Sequence, residues 1–299
     1  MTPFINLPPA IKALGGIFQD CGVCCYLVGG YVRNALLGLP ASETDLDVCS
    51  RLRPEDAAAM LRERGVRVIE KAPAFGTIEI HAEYGGLRYA VEHTTFRRDF
   101  YGSGGAHRPE RVAFTDDMAL DAQRRDFTVN ALYADAANGR VVDALGRGLA
   151  DISARRIAAA HEDARVTLQD DGLRLLRMVR FACELGFEID AALLEAARAL
   201  NGLIRDISGE RIRMELCKIL LADVKYGADP FAHRRGVLLL DTLGLLPFVL
   251  PCLTEGKGVR QNEKYHAYDV FLHGVEACAC LLYTSDAADD LLCVDLGGR

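Results

Sequence analysis

The sequence predicts an α+β chain: an α/β head with a mixed sheet, followed by an all-helical neck and a partial helical body. Three observations predict it. Short runs with two-residue alternation and β-branched or aromatic residues concentrate before residue 145. Between those runs lie short segments with apolar residues three and four apart. Past residue 145 the alternation stops and helical periodicity takes over.

In chain order, CYLV (25–28) reads as a strand and YVRNALLG as a short helix. DLDV (45–48) reads as the next strand, and PEDAAAMLRERG as a helix with Pro54 in its first turn and Gly65 at its end. TIEIHA (77–82), RYAVEHTTF (88–96) and TVNALYA (128–134) complete the strands. FYGSGGAHRPE (100–110) has turn chemistry throughout and reads as a mobile loop. DDGLRLLRMVRFACELG, AALLEAARALNG, GERIRMELCKILLAD and HRRGVLLLDTLGLL then carry the helical pattern, without a fixed-period repeat. The expected organisation is a head at 20–145, a helical neck at 146–230 and the start of a body at 231–280. The remaining 281–299 form an anomalous tail with four acids and one arginine, read as an assembly artefact or an ordinary acidic tail.

Composition narrows the function classes. A chain of 299 residues suits two domains, and 50% hydrophobic with 26% charged residues supplies a core and excludes wholesale disorder. The apolar runs fall short of the roughly 20 residues of a spanning helix, and the start lacks a basic-then-apolar signal pattern, so the expectation is a cytoplasmic protein with no membrane contact. The formal charge of −7 means that nucleic-acid binding must come from local basic surfaces. Of the ten cysteines, Cys24, Cys25, Cys183 and Cys217 lie in apolar or helical stretches and are expected to be buried as small hydrophobes. CGVC (21–24) has redox or zinc spacing, but no second pair follows.

The strongest local signal is YLVGGYVRNALLG followed by TDLDV. A strand that ends in Gly29 and Gly30 and opens into a helix lets backbone N–H groups approach a phosphate; alone, the same pattern also fits a tight turn. Asp45 and Asp47, two apart in a β-type run, fall on one face of a strand. Two such charges about 4 Å apart repel by roughly 4 kcal/mol at an effective dielectric of 20. They call for a compensating cation, and magnesium is the expected one, since it takes one or two carboxylates plus substrate phosphates. A solvated strand end is the competing explanation of the pair.

LVGGYVRNALLG, TDLDV, RRDFTVNALYAD, DDGLRLLRMVRFACELGFEI and GERIRMELCKIL, in this order, resemble the bacterial branch of the tRNA nucleotidyltransferase (CCA-adding enzyme) and poly(A) polymerase family. The resemblance covers residues 20–225 and continues weakly to 280. It implies that Gly29, Gly30 and Arg33 cradle the triphosphate, that Asp45 and Asp47 are magnesium ligands, and that Glu92 is general base or supporting ligand. Arg125, Asp126 and Asn130 match the segment associated with ribose and triphosphate, and a structural ion pair fits that segment too. Asp171 and Arg174 match the pair that reads the incoming base. Arg174, Arg177 and Arg180 stand at three-residue steps, a slanting basic stripe beside an apolar face, and the resemblance implies that they bind the nucleotide in a neck that also binds RNA.

The family has glutamate where Asp170 stands and proline where Gly172 stands. Glu210, Arg211 and Arg213 are expected to brace the neck. YHAYDVFLHG looks like the opening of an HD-type phosphohydrolase segment with His266 and His273, but the His-Asp pair that should follow is missing. The expected activity is CCA addition to tRNA from CTP and ATP by a two-magnesium mechanism, with release of pyrophosphate and no protein partner. A poly(A), CC-adding or A-adding polymerase and a non-catalytic RNA-binding remnant are the alternatives.

Overall fold

The computed structural model describes residues 3–42, 46–102, 109–262 and 266–285, the side chains of Pro73 and of 281–285 excepted. Contacts divide the chain into two units, Met1–Arg174 with Glu188–Ala196, and Leu175–Phe187 with Ala197–Arg299.

The first unit opens with α1 (Pro9–Asp20), β1 (Cys25–Val28), α2 (Gly30–Leu37) and β2 (Leu46–Ser50). It continues through α3 (Pro54–Glu63), β3 (Arg67–Ala72), β4 (Thr77–Tyr84) and β5 (Leu87–Thr95). β6 (Arg97–Phe100) and β7 (Arg111–Phe114) pair with each other as a ribbon, which places the expected 100–110 loop at their connection, with 103–108 outside the described residues. α4 (Met118–Gln123), β8 (Tyr133–Asp135), β9 (Val141–Val142), α5 (Gly148–Ser153), β10 (Arg156–Ile157) and α6 (Ala164–Asp170) follow. α7 (Arg174–Leu185) starts at the last residue of this unit's long segment, and β11 (Glu188–Ile189) returns to pair in parallel with β10.

Seven strands form one sheet in the order β3-β4-β5-β2-β1-β8-β9. β2 and β5 run parallel and the other neighbours antiparallel, so the sheet is mixed. Alternation gives the sheet two unlike faces. Leu27, Val48, Ile78, Ile80 and Val91 point to a back face, where they share a core with Ile11, Leu14 and Phe18 of α1 and Ala57, Ala58 and Leu61 of α3. Each fully buried large apolar side chain there contributes about 1.5–3 kcal/mol. Gly15 lets α1 approach: a Cβ at that position would stand 2.3 Å from the Ala136 backbone.

Three sequence expectations change. α1 precedes residue 20, and its core residues belong to the first unit. The strand expected at 128–134 is a 3-10 turn at Thr128–Asn130 followed by the short β8; the N–H groups of Asn130 and Ala131 bond back to the carbonyls of Phe127 and Thr128. Cys25 and Cys183 are buried as expected, whereas Cys24 and Cys217 are exposed.

In the second unit every regular element described from residue 201 on is helical: after α8 (Ala191–Ala199), which runs in from the first unit, come a 3-10 segment and α9 (Gly209–Leu220), α10 (Ala222–Tyr226), α11 (Ala232–Thr242), α12 (Leu246–Val249), α13 (Pro251–Thr254) and α14 (Val270–Ser285). Arg235 of α11 donates to the carbonyls of Ala182 and Phe187 at 3.0 and 2.8 Å, tying that helix to the end of α7. No helix among the described residues is long and apolar enough to cross a membrane.

Candidate active site

Register builds the site. Asp47 on β2 pairs with Val28 of β1 on one side and with Glu92 of β5 on the other, and Glu92 pairs in turn with Glu79 of β4. Two carboxylates on adjacent strands about 4.8 Å apart therefore face the front of the sheet together. Gly29 sits at φ +82°, a left-handed conformation that an L side chain resists, and a Cβ there would lie 4.0 Å from Asp47 Oδ2. The double-glycine turn thus stands directly beside the carboxylate. Asp45 lies outside the described residues.

Asp47, Glu92, Thr77 and Thr94 line a cavity of about 210 Å³ whose other polar walls are Arg97, Arg124 and Arg125. On the outer side, Lys71 pairs with Glu79 and stands 3.9 Å from Glu92 Oε2; His81 Nε2 is 2.7 Å from the second oxygen of Glu79. The hydrogen bond from Lys71 holds the Glu79 carboxyl below the usual carboxylate range.

The arginines are held from below. Asp121, with its side chain fully buried, accepts from Arg124 Nε at 2.8 Å, Arg125 Nη2 at 2.9 Å, the Tyr133 hydroxyl at 2.8 Å and the Arg97 backbone N–H at 3.3 Å. Burial works against its ionisation, but the guanidiniums of Arg125 and Arg124 and the Tyr133 hydroxyl hold its carboxyl well below the usual range. Asp99, half-buried as a residue but with its side chain 3% exposed, accepts from Arg97 Nε at 2.8 Å and stands 3.5 Å from Arg124 Nη1. Three guanidiniums against two carboxylates leave one positive charge in excess beside Asp47 and Glu92. Arg97, Arg124, Asp99 and Asp121 were not among the sequence candidates. The signal for Asp121 was present: it stands three and four residues before the Arg124–Arg125 pair, ion-pair spacing on one helical face.

A second polar chain joins other candidates. Arg33, 4% exposed, donates to Asn34 Oδ1 through Nε and Nη2 at 3.1 and 2.9 Å, and to Asn130 Oδ1 at 2.6 Å. Asn130 Nδ2 donates to Asp126 Oδ1 at 3.1 Å, an oxygen that also accepts the Phe127 N–H at 2.7 Å. The structure thus joins Arg33, Asn130 and Asp126, and uses Arg33 to tie α2, which begins at Gly30, to the turn after Arg125.

The Asp171–Arg174 segment departs from expectation. α6 ends at Asp170, and α7 begins only at Arg174, because Asp171 Oδ1 accepts the Leu173 N–H at 3.0 Å and its carbonyl accepts the Arg174 N–H at 2.9 Å. Arg174 is buried, with Nη1 on the Thr167 carbonyl at 2.9 Å and Nη2 on the Arg124 carbonyl at 2.6 Å. Burial pushes the Asp170 carboxyl up to about 6, against the pull of Arg174 at 3.7 Å. In the second unit Arg180 of the basic stripe is buried and Arg177 half-buried. Arg177 lies over the Phe181 ring at 5.3 Å; Arg180, 7% exposed, lies over the same ring at 4.3 Å, with Nη1 3.3 Å from Glu215 Oε1 and Nε 3.9 Å from Glu184. On α9 the buried Glu215 pairs with Arg180 of α7 at 3.2 Å. His266 and His273 pack edge-on, 5.2 Å between centroids.

Among the described residues no group of three or more His, Cys, Asp or Glu side chains gathers as a metal site. Asp47 and Glu92 offer oxygen donors only, the set that suits a hard divalent cation completed by substrate phosphates.

Two family models match the chain: the poly A polymerase head domain over residues 25–158, and the probable RNA and SrmB-binding site of polymerase A over 186–257. A CCA-adding enzyme of Streptococcus pyogenes serotype M2 (strain MGAS10270) is 38% identical over 205 residues, 68% of this chain and 47% of the relative. The chain thus spans about half the length of that relative. Among solved structures, a tRNA nucleotidyltransferase complexed with a primer tRNA and an incoming ATP analog matches with a TM-score of 0.65 and 26% identity, over 94% of this chain and 71% of that one. The Bacillus stearothermophilus CCA-adding enzyme in complex with CTP matches with a TM-score of 0.60 and 26% identity, over 95% and 71%.

Proposed function

The chain belongs to the tRNA nucleotidyltransferase and poly(A) polymerase family, and from that premise we propose that it adds cytidine and adenosine nucleotides to the 3′ end of tRNA, consuming CTP and ATP and releasing pyrophosphate. The observation that carries this reading is the cavity in which Asp47 and Glu92 face Arg97, Arg124 and Arg125 beside the Gly29–Gly30 turn. A triphosphate needs an anion-binding wall, and a phosphoryl-transfer centre needs carboxylates within reach of the α-phosphate. This cavity has both.

Asp47, together with Asp45, would hold magnesium in this account, and the ion would supply polarisation and charge neutralisation at the reacting phosphate. Glu92 accepts the proton of the RNA 3′-hydroxyl as that oxygen bonds to the α-phosphorus. The bond from the α-phosphorus to the bridging oxygen breaks, and pyrophosphate leaves against Arg124 and Arg125. Gly29 and Gly30 present backbone N–H groups to the triphosphate. Arg33, Asn130 and Asp126 keep the double-glycine helix aligned with the arginine-bearing turn. Asp171 and Arg174 select the base after exchanging their internal backbone bonds for bonds to its edge. Arg177 and Arg180, the remaining members of the stripe, act by keeping α7 packed rather than by touching the nucleotide.

CCA addition is favoured over poly(A) synthesis because the relatives matched are CCA-adding enzymes. The test is incubation of the purified protein with tRNA lacking its terminus and each labelled triphosphate. Incorporation of CTP followed by ATP is expected. Long tails made from ATP alone would replace the reading with poly(A) synthesis, and no magnesium-dependent pyrophosphate release would leave an RNA-binding remnant.

A further inference from the structure

Asp121 has no place among the groups that would touch substrate, yet it is the most highly bonded carboxylate of the first unit among the bonds described above. Its oxygens collect two guanidiniums, a phenol and a backbone N–H, all at 2.8–3.3 Å, and its side chain is fully buried. Each of the three arginines it collects, Arg124 and Arg125 from the turn after α4 and Arg97 from β6, lines the cavity with Asp47 and Glu92. The Tyr133 hydroxyl that donates to Asp121 also accepts from Arg125 Nε at 3.1 Å, and its ring carries the Arg125 guanidinium at 5.2 Å.

This arrangement has a physical purpose. Three arginines at one cavity repel each other, and long side chains free in water would adopt many rotamers. A buried carboxylate offsets the repulsion and fixes the forks before any ligand arrives, so that a polyphosphate meets a wall already in position.

Resting on the nucleotidyltransferase reading above, we infer that Asp121 is the positioning residue of the triphosphate wall: it orients Arg124 and Arg125 toward the cavity, with Asp99 and Tyr133 as its supports. Asp121 acts through the arginines and touches no substrate. Asp121→Asn preserves shape and removes the charge; it lets one or both guanidiniums leave the wall. The loss falls on polyphosphate binding. RNA binding through the helical unit is untouched.

The experiment is calorimetric titration of the full chain with inorganic tripolyphosphate in magnesium buffer, alongside filter binding of tRNA and steady-state kinetics with CTP. Wild type binds tripolyphosphate; Asp121→Asn binds it about tenfold or more weakly, keeps its tRNA affinity, and raises KM for CTP more than it lowers kcat. A merely structural role would lower tRNA binding and cooperative melting together and leave no such split. Tyr133→Phe removes the phenol without unpairing a buried charge, and serves where Asp121→Asn does not fold; it weakens tripolyphosphate binding about threefold. A folded Asp121→Asn, or failing that a Tyr133→Phe, with wild-type tripolyphosphate affinity overturns the inference alone. A wild type that binds no tripolyphosphate overturns the triphosphate reading, and the inference with it.

Discussion

Positions 47 and 48 are neighbours in β2, and 92 and 93 are neighbours in β5, yet each pair divides between the two faces of the sheet. Asp47 and Glu92 open onto the polar cavity, while Val48 and His93 are sealed on the back face. His93 shares one 2.8 Å hydrogen bond with Ser50, stacks on Phe18 of α1 at 5.7 Å, and leaves Nδ1 without a hydrogen-bond partner. Burial alone pushes its imidazole down to about 4, so it is neutral in the folded chain. On the front, Asp121 is buried as deeply and stays ionised, because cations and a phenol converge on it. Depth does not decide whether a group is charged in this fold. Its partners do.

The sharpest way to break this comparison is to move a carboxylate by one residue. Val48→Asp places an unpaired charge in the back core and should cost about 3–5 kcal/mol, enough to unfold the first unit in a urea titration followed by circular dichroism. Asp47→Asn, one position earlier, should leave that titration within about 1 kcal/mol of wild type. It should instead lower nucleotide incorporation about a thousandfold, the several kcal/mol that a metal clamp supplies to a phosphoryl transition state.

Proton linkage sharpens the contrast further. The folded pKa of His93 lies below its ordinary 6.5, so its contribution is present above that pH and is lost as pH falls toward about 4. His93→Gln, which keeps a polar partner for Ser50 and cannot be protonated, should remove about 2 kcal/mol of the acid-side loss by about pH 5, measured by urea unfolding. Asp170 has the opposite sign. Its folded carboxyl is raised from 3.8 to about 6, so stability is lost as pH rises through that window. Asp170→Asn should therefore gain about 1 kcal/mol over wild type between about pH 5 and about pH 8, read as a difference in unfolding free energy.

Much of the head was legible because strand alternation survives in the sequence: CYLV matches β1 residue for residue, and the helix beginning at Pro54 forms where its capping signals place it. The misreadings share a cause. Thr128–Asn130 has β-type composition, but Asp126 accepts from Phe127 N–H and Asn130, and Thr128 donates to Asp151, and these side-chain bonds favour a turn over a ladder. Asp47, Glu92 and Arg125 could be chosen from motif and alternation. Asp121 could not be told from a surface ion pair until the burial around Tyr133 was known. For the same reason the burial of Arg174 and Arg180 could not be read from their three-residue spacing: helical spacing shows which residues share a face, and packing decides whether that face meets water.

The central claim is that Asp47, Glu92 and the arginine wall form one nucleotidyl-transfer site. A crystal of the protein with a non-hydrolysable CTP analogue and manganese tests it most directly. The account predicts an anomalous manganese peak on Asp47, with the β- and γ-phosphates against Arg124 and Arg125. A peak elsewhere, or a triphosphate seated away from those two arginines, would contradict it.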